Sequence, residues 1–301
     1  MRVKASSDSN LEAFDKWTLS IVDGAIPTLD EADTIEIPDD ICMEIIPKSQ
    51  KDPKSETKSM QELAEHVFPD LNKNFKNCGW MDGRAILAPT NKQVNDINNM
   101  ITDFFPGQPH VLTSSDELVN PSDLARFNVE YLNSLDPSGL PAHRLFIKQG
   151  MPLMLMRNLN PKMGLCNGTK LIFHKVHKNY LLECSIAGGE FNSRKVLIPR
   201  IALRPKDREF SFEWTRRQFP VRVCFAMTIN KSQGQTLQNV GFWLNDSCFT
   251  HGQLYVAVSR VGSPSNIKLA IRKDHGSTSH LTRNVVFKNV FQNIFTARQV
   301  V

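Results

Sequence analysis

What this chain lacks narrows it first. Its 301 residues contain no Cys-x-x-Cys pair, and the six cysteines, Cys42, Cys78, Cys166, Cys184, Cys224 and Cys248, stand far apart with no histidine at zinc-ligand spacing. Neither a disulfide framework nor a metal site is expected. No apolar run approaches the roughly 18 to 20 residues of a membrane span. The opening Met1-Arg-Val-Lys-Ala-Ser-Ser-Asp8 has no apolar core of the kind a signal peptide carries. The expectation is an intracellular protein with reduced thiols and no membrane partner. Also missing is Gly-x-x-x-x-Gly-Lys-Ser/Thr, the loop whose backbone cradles nucleotide phosphates, and no apolar strand ends in an Asp-Glu pair suited to magnesium.

What is present is ordinary in amount and uneven in placement. A hydrophobic fraction of 41% with 22% charged residues fits a globular chain with room for one large domain or two. Residues 1–70 hold 7 Lys+Arg against 16 Asp+Glu, which leaves 29 against 15 for the rest. The later part therefore carries a positive field suited to a polyanion, although a solvated basic surface would look the same.

The stretch with most chemistry is Phe225-Ala-Met-Thr-Ile-Asn-Lys-Ser-Gln-Gly-Gln-Thr-Leu237. An apolar run from Val221 to Met227 switches abruptly to small and polar residues, the pattern of a buried strand emerging into a site. Thr228, Asn230, Lys231, Ser232 and Gln233 offer hydroxyl, amide and ammonium donors, and Gly234 lets backbone approach a ligand closely. A phosphate chain is the natural match. Shortly after it, His251-Gly-Gln-Leu-Tyr-Val-Ala-Val-Ser-Arg-Val261 reads as a helix with Leu254, Val258 and Val261 on one face. Gln253 and Arg260 then fall on the opposite face, seven positions apart. Alone, a polar loop after a strand is usually only a loop, and an arginine near a helix C-terminus often only complements the dipole.

Along the chain, Leu11, Phe14, Trp17 and Ile21 space as a helix face with Gly24 placed to end it. Residues 25–59 read as mostly irregular connection between acidic clusters and prolines, and Leu63, Val67 and Phe68 as one short helix. Arg84-Ala-Ile-Leu-Ala-Pro-Thr90 predicts a strand, followed by a helix from Asn91 to Ile101 with Val94, Ile97 and Ile101 inward. Thr90 or Asn91 caps that helix, and its free N–H groups are also a ready phosphate site. Residues 104–150 resist reading. Met151–Met156, Thr169–Val176, Tyr180–Ile186 and Val196–Pro199 predict four short strands, with Asn167-Gly168 and Gly188-Gly189 as turns, which suggests a small barrel. Basic residues from Arg194 to Arg222 alternate with Phe210, Phe212, Trp214 and Phe219. That alternation can hold a single strand, but Phe212 and Phe219 read better as core. Val286, Phe287, Val290, Phe291, Ile294 and Phe295 predict a packing helix.

Thr228-Ile-Asn-Lys-Ser-Gln-Gly-Gln-Thr-Leu237 followed by Tyr255-Val-Ala-Val-Ser-Arg-Val261 resembles motifs V and VI of superfamily-one helicases, in particular the Pif-type DNA helicases and their Helitron branch. Met1-Arg2 ahead of Phe14-Asp-Lys-Trp-Thr-Leu-Ser-Ile-Val-Asp-Gly24 is similar to motif IV and the segment after it. Ala88-Pro-Thr-Asn91, Arg157-Asn-Leu-Asn-Pro-Lys-Met-Gly-Leu-Cys-Asn-Gly-Thr169 and Asn284-Val-Val-Phe-Lys-Asn-Val290 are similar to further Pif-type segments.

The resemblance implies an α/β fold: a RecA-like parallel-sheet domain, the second of two motor domains, with an inserted SH3-like β-barrel. It divides the chain at 1–79 (acidic connection from motif IV), 80–139 (first part of domain 2A), 140–205 (subdomain 2B) and 206–301 (second part of 2A). It implies Arg260 as arginine finger with Arg2 assisting, and Gly234, Thr236 and Gln253 beside the nucleotide. Thr90, Asn91, Thr228, Asn230, Lys231, Ser232 and Gln233 are then expected on the phosphates of single-stranded DNA. For the family as a whole it implies ATP with magnesium, unwinding in the five-prime to three-prime direction at single strands and duplex junctions, and nuclear roles in replication, repair, recombination or telomere maintenance. With no phosphate cradle, this chain by itself is expected not to hydrolyse ATP, and a separate ATP-binding motor domain is its expected partner. The competing expectation is a non-hydrolysing nucleic-acid-binding module or a translated transposon remnant.

Overall fold

The computed structural model describes residues 9–30, 33–48, 52–137, 139–206, 210–272 and 280–287. They fall into two compact units, the first within Met1–Pro69, Arg84–Asn99 and Ala226–Val301, the second within Asp70–Gly83 and Met100–Phe225.

The first unit is built on a five-stranded, wholly parallel sheet in the order Ala226–Thr228, Arg84–Ala88, Asn239–Leu244, Ile267–Arg272, Cys42–Ile45. Strands of such a sheet are covered on both faces, so they read as continuous apolar runs. Asn239-Val-Gly-Phe-Trp-Leu244 does so, with its last five residues buried. Helix Ser55–Val67 lies directly on this central strand, where a Cβ on Gly241 would come within 2.7 Å of Val67 and 2.9 Å of Leu63. Glycine is what lets helix and strand approach so closely. Helix Ser9–Val22 buries Phe14 and Ile21 and ends at Gly24, whose φ of 61° is the left-handed cap that the sequence suggested. A two-stranded antiparallel ribbon joins Thr34–Glu36 to Leu281–Arg283.

Residues 25–59 differ from the irregular connection expected. They hold an edge strand of the main sheet, Cys42–Ile45, and the start of a 13-residue helix where a shorter one was expected. Four residues are too few to show a period, and the flanking prolines masked the strand.

The second unit is antiparallel. Its main sheet runs Lys195–Pro199, Leu181–Ala187, Lys170–His177, Pro152–Leu155, Val221–Val223, so the four strands expected here are all present with a fifth from further along the chain. Three strands, Ile201–Leu203, Trp214–Gln218 and Ser115–Leu118, form a second sheet, and His110–Thr113 pairs with Arg144–Ile147 in a ribbon. The unit is wider than the insertion expected at 140–205, taking in 70–83, 100–139 and 206–225 as well.

Phe212, Trp214 and Phe219 are core residues, as is Arg216, which is fully buried. Its guanidinium meets Asp116 at 2.7 Å and donates to the carbonyls of Leu132, Leu135 and Pro141. In strand Trp214–Gln218, Trp214 and Arg216 share the buried face and Arg217 is exposed. Val221 to Met227, expected as one strand, is two: Val221–Val223 pairs antiparallel with Pro152–Leu155, and Ala226–Thr228 pairs parallel with Arg84–Ala88. An apolar run reports burial and says nothing of which sheet buries it. Arg2 and Arg208 lie outside the described residues, as does the expected helix beyond Phe287; Asn284 to Phe287 are not helical.

Candidate functional site

Strands Arg84–Ala88 and Ala226–Thr228 are parallel neighbours with Ala88 opposite Thr228, so both chains leave the sheet at the same end and side by side. The carboxyl ends of parallel strands are where ligands bind in open α/β sheets. From one strand comes Pro89-Thr90-Asn91 and the N-terminus of helix Asn91–Phe104; from the other comes the 3-10 turn Ile229–Ser232. Two segments far apart in sequence thus place their polar groups next to each other.

Thr90 Oγ1 accepts from Gln93 N at 3.4 Å and so caps the helix, while Asn91 is exposed. Thr228 is half-buried, and Asn230, Lys231 and Gln233 are exposed along the turn. Ser232 departs from expectation. It is fully buried and its hydroxyl donates to Ile229 O at 2.7 Å, so it closes the turn from within and is not presented to a ligand. Gly234 has φ 81° and open space where a Cβ would stand, and Thr236 is exposed.

The segment His251–Val261 holds a shorter helix than expected, Gln253–Val258, and Arg260 lies beyond it. Leu254, Val258 and Val261 are buried, as their spacing required. Gln253 is buried too: its Oε1 accepts from Phe249 N at 3.0 Å and Thr250 N at 3.4 Å, while its Nε2 has no partner among the described residues. A buried donor left open costs about 1–3 kcal/mol unless something fills it.

Arg260 is half-buried, and its guanidinium is spread over backbone. Nε donates to Val256 O at 2.7 Å, Nη1 to Gln235 O at 3.0 Å and Ser232 O at 3.3 Å, and Nη2 to Ser259 Oγ at 2.8 Å. Leu237 N returns a bond to Arg260 O at 3.0 Å. Arg260 therefore stitches the 229–237 loop to the helix. No carboxylate pairs with it among the described residues, and burial pushes its pKa below the ordinary value. A guanidinium has five N–H groups, so these four bonds leave one on Nη2.

Two side chains escaped the sequence reading. Asn98 clasps both backbone groups of Ala226, and Gln93 Nε2 donates to Asp246 at 3.0 Å. Asn98 could have been found, because it sits on the apolar face of its helix among Val94, Ile97 and Ile101, where an amide must be satisfied.

Residues 130–175 match the family model of the DNA helicase Pif1 2B domain. The ATP-dependent DNA helicase PIF6 of Trypanosoma brucei brucei is 39% identical over 83 residues, 28% of this chain and 10% of that protein. The human ATP-dependent DNA helicase PIF1 is 29% identical over 152 residues, 47% of this chain and 22% of that one. Among solved structures, Pif1 helicase from Candida albicans superposes with a TM-score of 0.51 at 20% identity, over 81% of this chain and 57% of that one. Pif1 from Bacteroides in complex with ADP-AlF3 and ssDNA gives 0.51 at 18% identity, over 81% and 53%. The match thus spans about a fifth of the human relative and little more than half of either solved chain. By sequence and by fold this chain is related to the Pif1-type DNA helicases, with a Pif1 2B region and a RecA-like parallel sheet consistent with the C-terminal half of such an enzyme.

Proposed function

We propose that the chain works as the second motor portion of an ATP-dependent, five-prime to three-prime Pif-type DNA helicase. In this reading the phosphates of single-stranded DNA are held by Thr90, Asn91, Thr228, Asn230, Lys231 and Gln233. The observation that carries it is the pairing of Ala88 with Thr228, which sends the two polar turns out of the sheet together. Ser232 acts one step back, shaping the turn through its bond to Ile229 O. Gly234, Thr236 and Gln253 face the nucleotide, and Arg260 offers its remaining N–H to charge that develops on a phosphoryl oxygen. ATP with magnesium, held chiefly by a partner motor domain, supplies the transferable phosphoryl group. Residues 140–205 serve as the 2B subdomain, and a nuclear role in DNA replication, repair, recombination or telomere maintenance belongs to the same reading.

Since the chain carries no phosphate-cradling loop, it hydrolyses no ATP by itself. A single-stranded-DNA-stimulated ATPase assay on the purified chain should read background; activity above it that Arg260→Ala abolishes would overturn this. DNA binding should be weak and steeply salt-dependent, and binding that ignores salt would refute a grip on phosphates.

One observation favours a second reading, a DNA-binding module that does not hydrolyse. Arg260 spends four bonds holding the 229–237 loop to its helix. Were that its whole purpose, Arg260→Ala would weaken DNA binding and leave the ATPase of the chain paired with an ATP-binding motor domain unchanged.

A further inference from the structure

The ribbon formed by His110–Thr113 and Arg144–Ile147 in the second unit has a face that no element covers among the described residues. Register places Val111 opposite Phe146 and Thr113 opposite Arg144. These four alternate with the buried Leu112 and Leu145, and all four are exposed. Phe146 is 45% exposed, and the Arg144 guanidinium lies over its ring at 5.4 Å. An exposed ring is free to stack on a partner, and a guanidinium beside it lends the site positive charge.

The ribbon continues into a second ring with cations. Arg200 donates through Nη1 to Thr113 O at 2.7 Å and through Nε to Asn179 O at 2.9 Å, with its guanidinium 4.4 Å over Phe219. Asn179 belongs to a tight turn in which Lys178 and Asn179 both take positive φ, 47° and 59°. The next residue, Tyr180, is 72% exposed, the most exposed large hydrophobic side chain among the described residues. Arg200 thus fixes the turn that presents Tyr180 to the strand that neighbours Phe146. Arg144, Lys178 and Arg200 form no ion pair among the described residues.

We propose that this surface is a contact for single-stranded DNA on the second unit, with Phe146 and Tyr180 stacking on bases and Arg144, Lys178 and Arg200 meeting phosphates. Two stackable rings beside cations that make no ion pair among the described residues are the chemistry that binds single strands without reading sequence. The proposal rests on the DNA-binding reading of the whole chain and extends it to residues outside the motifs of the first unit.

The test uses the full chain and a fluorescent oligo-dT, with an oligonucleotide of the same length made of abasic sites as comparison. Phe146→Ala with Tyr180→Ala should weaken oligo-dT binding about 10-fold and leave abasic binding unchanged, since base stacking is lost and phosphate pairing is kept. Arg144→Ala should weaken both and flatten the salt dependence by about 0.7 in the log-log slope. All three side chains are exposed, so the fold is not at risk. Oligo-dT binding that Lys231→Ala weakens while the ring variants leave it alone overturns this proposal and spares the reading of the first unit. No binding by the unsubstituted chain overturns both. Equal losses on oligo-dT and the abasic strand in the ring variants overturn the stacking role.

Discussion

The carboxamide of Asn98 accepts from Ala226 N at 2.9 Å and donates back to Ala226 O at 3.1 Å, a two-point clasp that is 7% exposed. Ala226 begins the edge strand that delivers Thr228 and the turn after it. The helix bearing Asn98 begins at the Thr90–Asn91 turn. One amide therefore holds the spacing between the two turns proposed to grip DNA. Asn98→Leu leaves two backbone groups of Ala226 unpaired in a buried place, which should lower stability by about 2 kcal/mol or more in urea unfolding. It should also weaken binding to oligo-dT. A change under about 0.5 kcal/mol with unaltered binding would deny Asn98 this role.

The buried pair of Arg216 and Asp116 makes a second prediction, this time in the second unit. Arg216 has all its partners inside: three bonds to Asp116 and one each to the carbonyls of Leu132, Leu135 and Pro141. Asp116→Ala strands a cation in the core and should cost about 3–5 kcal/mol. Replacing both together, Arg216→Met with Asp116→Leu, should cost less than the single change, because no charge is then left unpaired. Chemical denaturation of the two variants checks the order.

Two glycines of positive φ should respond differently to alanine. At Gly150, φ 92°, a Cβ would stand 2.1 Å from Phe75 O, so Gly150→Ala must displace backbone and should give little folded protein. At Gly234, φ 81°, nothing lies within 4 Å, so the change costs only the left-handed strain, about 1 kcal/mol. Thermal unfolding should separate the pair clearly, and Gly234→Ala should act mainly on ligand binding.

Acid should destabilise the protein through three histidines. Burial pulls the pKa of His66, His143 and His174 below the ordinary value of 6.5. Each stays neutral in the folded chain while its unfolded counterpart takes up a proton as pH falls past 6.5, so the unfolded state binds more protons and gains. Melting temperature should therefore be flat well above the ordinary histidine value and fall as pH drops below it. His174→Gln, which keeps a partner for Ser185 Oγ, now at 3.0 Å, should shallow that fall. An unchanged slope would mean His174 takes no part.

Much of the candidate site was written in the residue order. The polar switch after Met227, the glycine at 234 and the apolar spacing of Leu254, Val258 and Val261 are local properties, and local properties survive into the fold. So were the strands at Arg84–Ala88 and Lys170–Pro199, where alternation or unbroken apolarity over several residues leaves one reading. Segment 104–150 was opaque because its strands are only four residues long, each shorter than the window in which a period shows.

Partnership was decided only in three dimensions. The chain order cannot say that Val221–Val223 and Ala226–Thr228 go to different sheets, that Arg216 turns inward to Asp116, or that Ser232 hides its hydroxyl while Lys231 beside it stays outside. Nor could it foresee Arg260 binding carbonyls 25 and 28 positions away, or Arg200 binding the carbonyls of both Thr113 and Asn179. Residue type sets what a side chain can bond. Which bond it makes depends on neighbours supplied by distant segments, and those meet only when the apolar strands have been buried against one another.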